Sequence, residues 1–154
     1  MSIGASQTIL IDTSSMGTVS FGMKQFHEAL DWGRRGYVSP LFDELQAGTI
    51  TIQSLDGTTT IRNTVLTPWT PETPQTCLCY GDGTSCLTAN QVLYRDATTT
   101  VLLSDASVGD SILLRDGTMA ITGLMGKTAF DLSVYDLVTD ASNYTLETGL
   151  IVKA

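Results

Sequence analysis

Apolar and polar positions change period along this chain, and the changes mark its elements. "QTILID" at 7 and "MGTVSF" at 16 are short apolar runs of strand length around the turn-prone "TSSMG", which predicts a meander start. In "GMKQFHEALDWGRRG" the positions Met23, Phe26, His27 and Leu30 recur at helical intervals, with Gly33 and Gly36 available as terminators, so a short amphipathic helix is expected. "VSPLFDELQAG" predicts a second helix over 40–47: Ser39 can cap it, Pro40 suits its first position, Asp43 and Glu44 suit its early turns, and Gly48 can end it. "TITIQ" and "TTTIRNTVL" are β-branched runs joined by "SLDG", and Asp56-Gly57 supplies the dihedrals of a tight hairpin.

"TPWTPETPQT", 67–76, carries Pro68, Pro71 and Pro74 between polar spacers, a composition that favours an extended polyproline-like path. It is read as a linker between an α+β module at 1–66 with one or two short helices and a compact all-β module at 77–154. Beyond it, "GDGTS", "YRDATT", "SDASVGDS", "RDGTM", "LMGKT" and "TDAS" punctuate short apolar runs, the spacing of strands and turns. The fold class expected is mainly β.

Composition narrows the function classes. The chain has 154 residues with 42% hydrophobic and 16% charged positions, enough apolar content for a core, and no run long enough to span a bilayer as a helix. "MSIGASQTILIDTSS" lacks the basic start and apolar stretch of a secretory signal, so a cytoplasmic protein is expected. The formal charge of -8 and the scattering of basic residues, with only Arg34-Arg35 adjacent, argue against nucleic-acid binding.

Cys77, Cys79 and Cys86 are odd in number and are read as thiols. Zinc would need His27, the one histidine, as fourth ligand, and no metal or cofactor is expected. His27 itself reads as a packing residue on the first helix. Asp82-Gly83 and Asp116-Gly117 lack the alternating acidic ligands of a calcium loop, and there is no phosphate loop and no Ser–His triad pattern.

"CLTANQVLYRD" at 86, "SVGDSILLRDG" at 107 and "VYDLVTDASNYTLETGLIVKA" at 134 together resemble three successive pieces of the hedgehog/intein, or Hint, family, over about 69 residues. The resemblance implies an acyl shift in which a Cys or Ser attacks the preceding carbonyl, aided by an acid or base and an oxyanion donor. It places Cys86 at the nucleophile position. A Thr-x-x-His should then follow some sixty or more residues on, where this sequence has no histidine, and the terminal His-Asn of the family matches Lys153-Ala154 or lies beyond the end. Splicing is therefore not expected, and a slow shift with hydrolysis at Ser85-Cys86 is the alternative reading.

On a purely structural reading of the same residues, Cys86 is a small buried hydrophobe, Asp110 and Asp116 sit in turns, and Tyr135 and Tyr144 fill the core with their hydroxyls at its edge. The absence of a recognisable catalytic set leads to the expectation of a non-enzymatic structural protein. That protein would be a virion component of a tailed phage, capsid cement or a tail or baseplate connector, assembled in the host cytoplasm as a homo-oligomer with other virion proteins. Trp32, Trp69 and the tyrosines motivate a further alternative, a small-ligand or sugar-binding β module.

Overall fold

Local signals set the two helices. In the computed structural model, which describes residues 3–4, 7–68, 75–127 and 133–154, the second helix α2 spans Pro40–Ala47. The Ser39 hydroxyl accepts from the Phe42 N–H at 3.2 Å, and Gly48 closes the helix at φ +74°. The first helix α1 spans Met23–Arg34 and buries Met23, Phe26, His27 and Leu30, the stripe expected from the spacing. Gly33 does not end α1. A Cβ there would lie 2.3 Å from Phe42 Cβ, so the glycine lets α2 approach, and it is Gly36, at φ +91°, that follows the helix end. Glu44 of α2 reaches the turn at 14–16, where the Ser14 and Ser15 hydroxyls donate to its carboxylate at 2.5 and 2.7 Å and help hold its pKa down at about 2.

Strands carry the rest. In chain order they are β1 (Ile3–Gly4), β2 (Thr8–Thr13), β3 (Gly17–Gly22), β4 (Thr51–Ser54), β5 (Gly57–Thr67), β6 (Gln75–Tyr80) and β7 (Gly83–Thr88). They continue as β8 (Val92–Tyr94), β9 (Thr100–Leu102), β10 (Ser111–Leu114), β11 (Gly117–Lys127), β12 (Val134–Thr139), β13 (Asn143–Thr145) and β14 (Ile151–Lys153), with a 3₁₀ turn at Leu103–Asp105. The expected meander is β2–β3 and the expected hairpin is β4–β5, whose two-residue loop is Leu55-Asp56, with Gly57 at φ +126° opening β5.

Ten strands form one antiparallel sheet in the order β10-β11-β6-β7-β1-β12-β5-β4-β2-β3, and β13-β14-β8-β9 form a second. The pairing does not display the expected division at 67–76. β12, from the second half, lies between β1 and β5 of the first, and β1 in turn pairs with β7. The linker's ends fold into β5 and β6, and residues 69–74, Trp69 among them, lie outside the described residues. The buried cluster likewise draws on both halves, with Ile9, Phe26 and Ile61 together with Leu87, Leu137 and Tyr144.

The expectation of three thiols is corrected. Cys77 and Cys86 face each other across β6 and β7 and are joined by a disulfide, while Cys79 is free and half-buried. Cross-strand register decides which thiols meet, and spacing alone does not encode it. Asp110 and Asp116 do sit at turns: the Asp110 carboxylate accepts from the Ser107 N–H at 2.9 Å.

Gly33→Ala should destabilise the protein by about 1–3 kcal/mol, the ordinary cost of forcing a methyl into a filled contact. Urea or thermal denaturation reads this directly. An unchanged midpoint would mean that α1 and α2 separate freely.

Candidate functional site

The site is built where the first and last strands of the fold come together. β1 pairs on one side with β7, Ile3 opposite Leu87, and on the other with β12, Ile3 opposite Tyr135 and Gly4 opposite Val134. Because β1 and β12 are antiparallel, Ile3, the first residue of β1, is the one set against Tyr135, the neighbour of Asp136. Just downstream of β1, the buried Gln7 amide donates to the Cys86 carbonyl at 2.8 Å and ties this segment to β7.

β7 ends at Thr88, and the chain turns there, with the Gln91 N–H donating to the Thr88 carbonyl at 3.0 Å. The turn delivers Gln91 into the interior, fully buried. Its side-chain nitrogen donates to the Lys153 carbonyl at 2.8 Å and the Val92 carbonyl at 3.1 Å. These two bonds fix the amide's orientation, and its oxygen is left buried with no hydrogen-bond partner among the described residues. The carbonyl that Gln91 holds belongs to the Lys153–Ala154 peptide bond.

β12 supplies the acid. Asp136 is 8% exposed, and its Oδ1 accepts from the Tyr144 hydroxyl at 2.7 Å and from the Leu137 N–H at 2.9 Å. Burial penalises the carboxylate and pushes the pKa of Asp136 above the usual range, against the hydrogen bonds that pull it down. Tyr144 is fully buried, and burial followed by the neighbouring Asp136 raises its pKa well above 10, so it stays a donor. The expectation that this hydroxyl would lie at the edge of the core is corrected. It lies inside, where the carboxyl gives it a partner.

Asp136 opens onto a cleft of about 240 Å³, also lined by Val65, Val138, Ser142 and the last residue, Ala154. Ser142 adopts φ +58°, the one described non-glycine in the left-handed region, and its carbonyl accepts from the Ala154 N–H at 2.9 Å. Side chains held in that region cost about 1–3 kcal/mol and persist where surrounding structure imposes them. Here the imposed feature seats the chain's end beside Asp136.

The residues singled out from the sequence are distributed unequally. Lys153 and Ala154 are in the site. Cys86 is not a reacting group: it is disulfide-bonded in the middle of β7, with strands paired on both sides. His27 lies under α1, its Nδ1 2.8 Å from the Thr64 hydroxyl, with a pKa lowered chiefly by burial, and it does not line the cleft. Gln91, Asp136 and Tyr144 as a chemical group were missed. A signal was available in "CLTANQ": counted from β1 rather than from Cys86, Thr88-Ala89-Asn90-Gln91 is a Thr-x-x-His pattern with glutamine at its last position.

No protein-family model and no curated protein matches the chain. Solved structures do. Over 99% of this chain and 99% of the other, it resembles the transcription factor IIB Mvu mini-intein at a TM-score of 0.78 and 9% identity. It resembles an intein from a hyperthermophile at 0.75 and 12%, again over 99% of each. A DnaB intein from Synechocystis sp. PCC 6803 matches at 0.66 and 17%, over 99% of this chain and 97% of that one. The fold is the intein, or Hint, fold.

The likeness to inteins spans the whole chain, whereas the motifs suggested only the 69 residues from Cys86 onward. It also corrects the expectation of a non-enzymatic virion component: the shared architecture is that of self-processing elements. In that architecture the position of Cys86, deep in the seventh strand, cannot be the first residue.

Asp136→Asn should change how stability depends on pH. A carboxyl whose folded pKa is raised binds its proton more tightly when folded, so its stabilising effect is complete below the unfolded value, about 3.9, and is lost as pH rises through the folded value. The asparagine variant lacks that loss. Its stability relative to the parent should therefore increase from about pH 3 toward neutrality, read as urea midpoints across that range. A parent that gains on the variant as pH rises would show an ionised, well-paired Asp136.

Proposed function

We propose that the chain is an autoprocessing module of the intein type that cleaves the peptide bond on the amino side of Ser2. The observation that supports this is the whole-chain intein fold, with β1 set between β7 and β12 so that Ile3, the first described residue, pairs with Tyr135 next to the buried Asp136, whose pKa burial raises. Ser2, the residue immediately before Ile3, carries the hydroxyl such a shift requires.

In this reading the Ser2 hydroxyl oxygen bonds to the carbonyl carbon of the residue before it, and the carbon–nitrogen bond to Ser2 breaks. The hydroxyl proton passes to the departing nitrogen, with the Asp136 carboxyl as the titratable group at hand. Water then hydrolyses the ester and releases the upstream segment as a carboxylate. Gln91 supplies a fixed amide dipole where the family pattern has an imidazole, so acid–base help from that position is missing, a loss of about 10²- to 10⁴-fold in rate. Neither Lys153 nor Ala154 carries the side-chain amide that the family's cyclising step uses.

A reporter fused upstream of Met1 tests the reading. Slow release of the reporter is expected, accelerated by hydroxylamine, abolished by Ser2→Ala and untouched by Cys86→Ala. Gln91→His should speed it by about 10²-fold or more. Fusion protein that stays intact with hydroxylamine, in both the parent and the Gln91→His variant, would overturn it.

A further inference from the structure

Three cysteines and a methionine share one face of the sheet, and the processing site uses none of them. In an antiparallel sheet, residues directly opposite one another point to the same side, as do residues two apart on one strand. Met125 of β11 lies opposite Cys77 of β6, and Cys77 lies opposite Cys86 of β7, so three sulfur-bearing residues form a row across three strands. Cys79, two positions along β6, stands beside the middle of that row on the same face. The Cα atoms of Cys77 and Cys86 are 3.9 Å apart.

This face is open to solvent. Met125 is 60% exposed, and Cys79 and Cys86 are half-buried. Opposite Cys79 on β11 stands Gly123, where a Cβ would come 3.6 Å from the Cys79 sulfur, so the missing side chain leaves that sulfur uncovered on one flank. On the other flank the Thr84 hydroxyl donates to Cys79 Sγ at 3.7 Å. Such a bond holds the sulfur's direction, as outer hydrogen bonds do for metal ligands.

With the disulfide closed, two of the four sulfurs are bonded to each other, and no group of three His, Cys, Asp or Glu side chains placed to hold a metal occurs among the described residues. Reduction changes the count. Two equivalents of a low-molecular-weight thiol give two electrons and two protons to the Cys77–Cys86 bond and leave as their own disulfide, so Cys77 and Cys86 become thiols. Three thiols and a thioether then line one patch. The donors are sulfur alone, since His27 lies under α1 against Thr64. Thiolate and thioether donors select soft ions, and copper(I) accepts two or three of them without a nitrogen or oxygen ligand. Zinc fits less well, because it takes four ligands drawn from thiolate, imidazole and carboxylate.

We propose that the reduced protein binds one copper(I) ion on this face, through the thiolates of Cys77, Cys79 and Cys86 with the Met125 thioether beside them, and that the disulfide form does not. Each thiol that ligates releases its proton. The inference stands apart from the processing chemistry and does not depend on it.

Anaerobic titration of the full chain with copper(I), after reduction by a phosphine and its removal, tests it. One equivalent should saturate a near-ultraviolet thiolate-to-copper band in the reduced protein, and no band should develop in the disulfide form. In competition with a chromogenic copper(I) chelator, Cys79→Ser should weaken binding at least about 10-fold, the least expected of a lost ligand when changes outside the ligand shell already cost that much. In methyl-labelled protein the Met125 resonance should move as copper is added. A reduced protein that takes up no copper(I), or one whose dispersed amide spectrum collapses on reduction, overturns the inference. So does a Cys79→Ser variant that holds copper as tightly as the parent, or a Met125 methyl that does not move.

Discussion

Everything in this fold hangs on two residues of backbone. Among the described residues, Ile3 and Gly4 form the strand that lies between β7 and β12, and those two strands do not pair with each other. Without β1 the ten-stranded sheet would present two unpaired edges in its interior, each with backbone donors and acceptors that a dry environment cannot satisfy. Seating β1 there stabilises the sheet and, by the same contact, brings the start of the chain to its centre. Under the proposed function, the segment to be acted upon is held by the fold that acts.

Departures from ordinary stabilising rules gather around that strand. Asp136 is a carboxyl in a place that resists its charge, Gln91 keeps an acceptor without a partner, and Ser142 takes a backbone conformation that suits glycine. An unpaired buried acceptor alone costs about 1–3 kcal/mol. Elsewhere the described side chains follow expectation: Ser39 caps, Gly48 ends a helix, and Arg62 meets Asp140 in a two-pronged surface pair at 2.8 Å. Local inconsistencies concentrated at one place, in an otherwise consistent chain, mark a site shaped by something other than stability.

Much of this was legible from residues alone, and what was not has a common cause. Both helices follow from signals a few residues apart, which is why α1 and α2 fall where spacing, cap and terminator put them. The β4–β5 hairpin is equally local. β1 leaves no such trace, since two residues have no period and their partners lie more than eighty positions away at Leu87 and Tyr135. Missing β1 displaced the rest: with the first strand unseen, Cys86 took the role of first residue, the helper was sought too far downstream, and Gln91 was passed over because the search was for an imidazole. The Cys77–Cys86 bond was hidden because it depends on the register between β6 and β7, and the Tyr144–Asp136 bond because it joins strands of two different sheets.

Glutamine at position 91 has a consequence for any chemistry this site performs. An imidazole can accept and return a proton near neutral pH, whereas a side-chain amide offers only a fixed dipole. Gln91 spends that dipole on the Lys153 carbonyl, a structural bond that holds the final strand against β8. Under the proposed reading, proton transfer falls to Asp136, the carboxyl whose pKa burial raises. Under that reading the buried acid on β12, the strand paired with β1, and the Lys153 carbonyl pinned by Gln91 are the features the site offers, and the acid is the one placed to assist cleavage at the front.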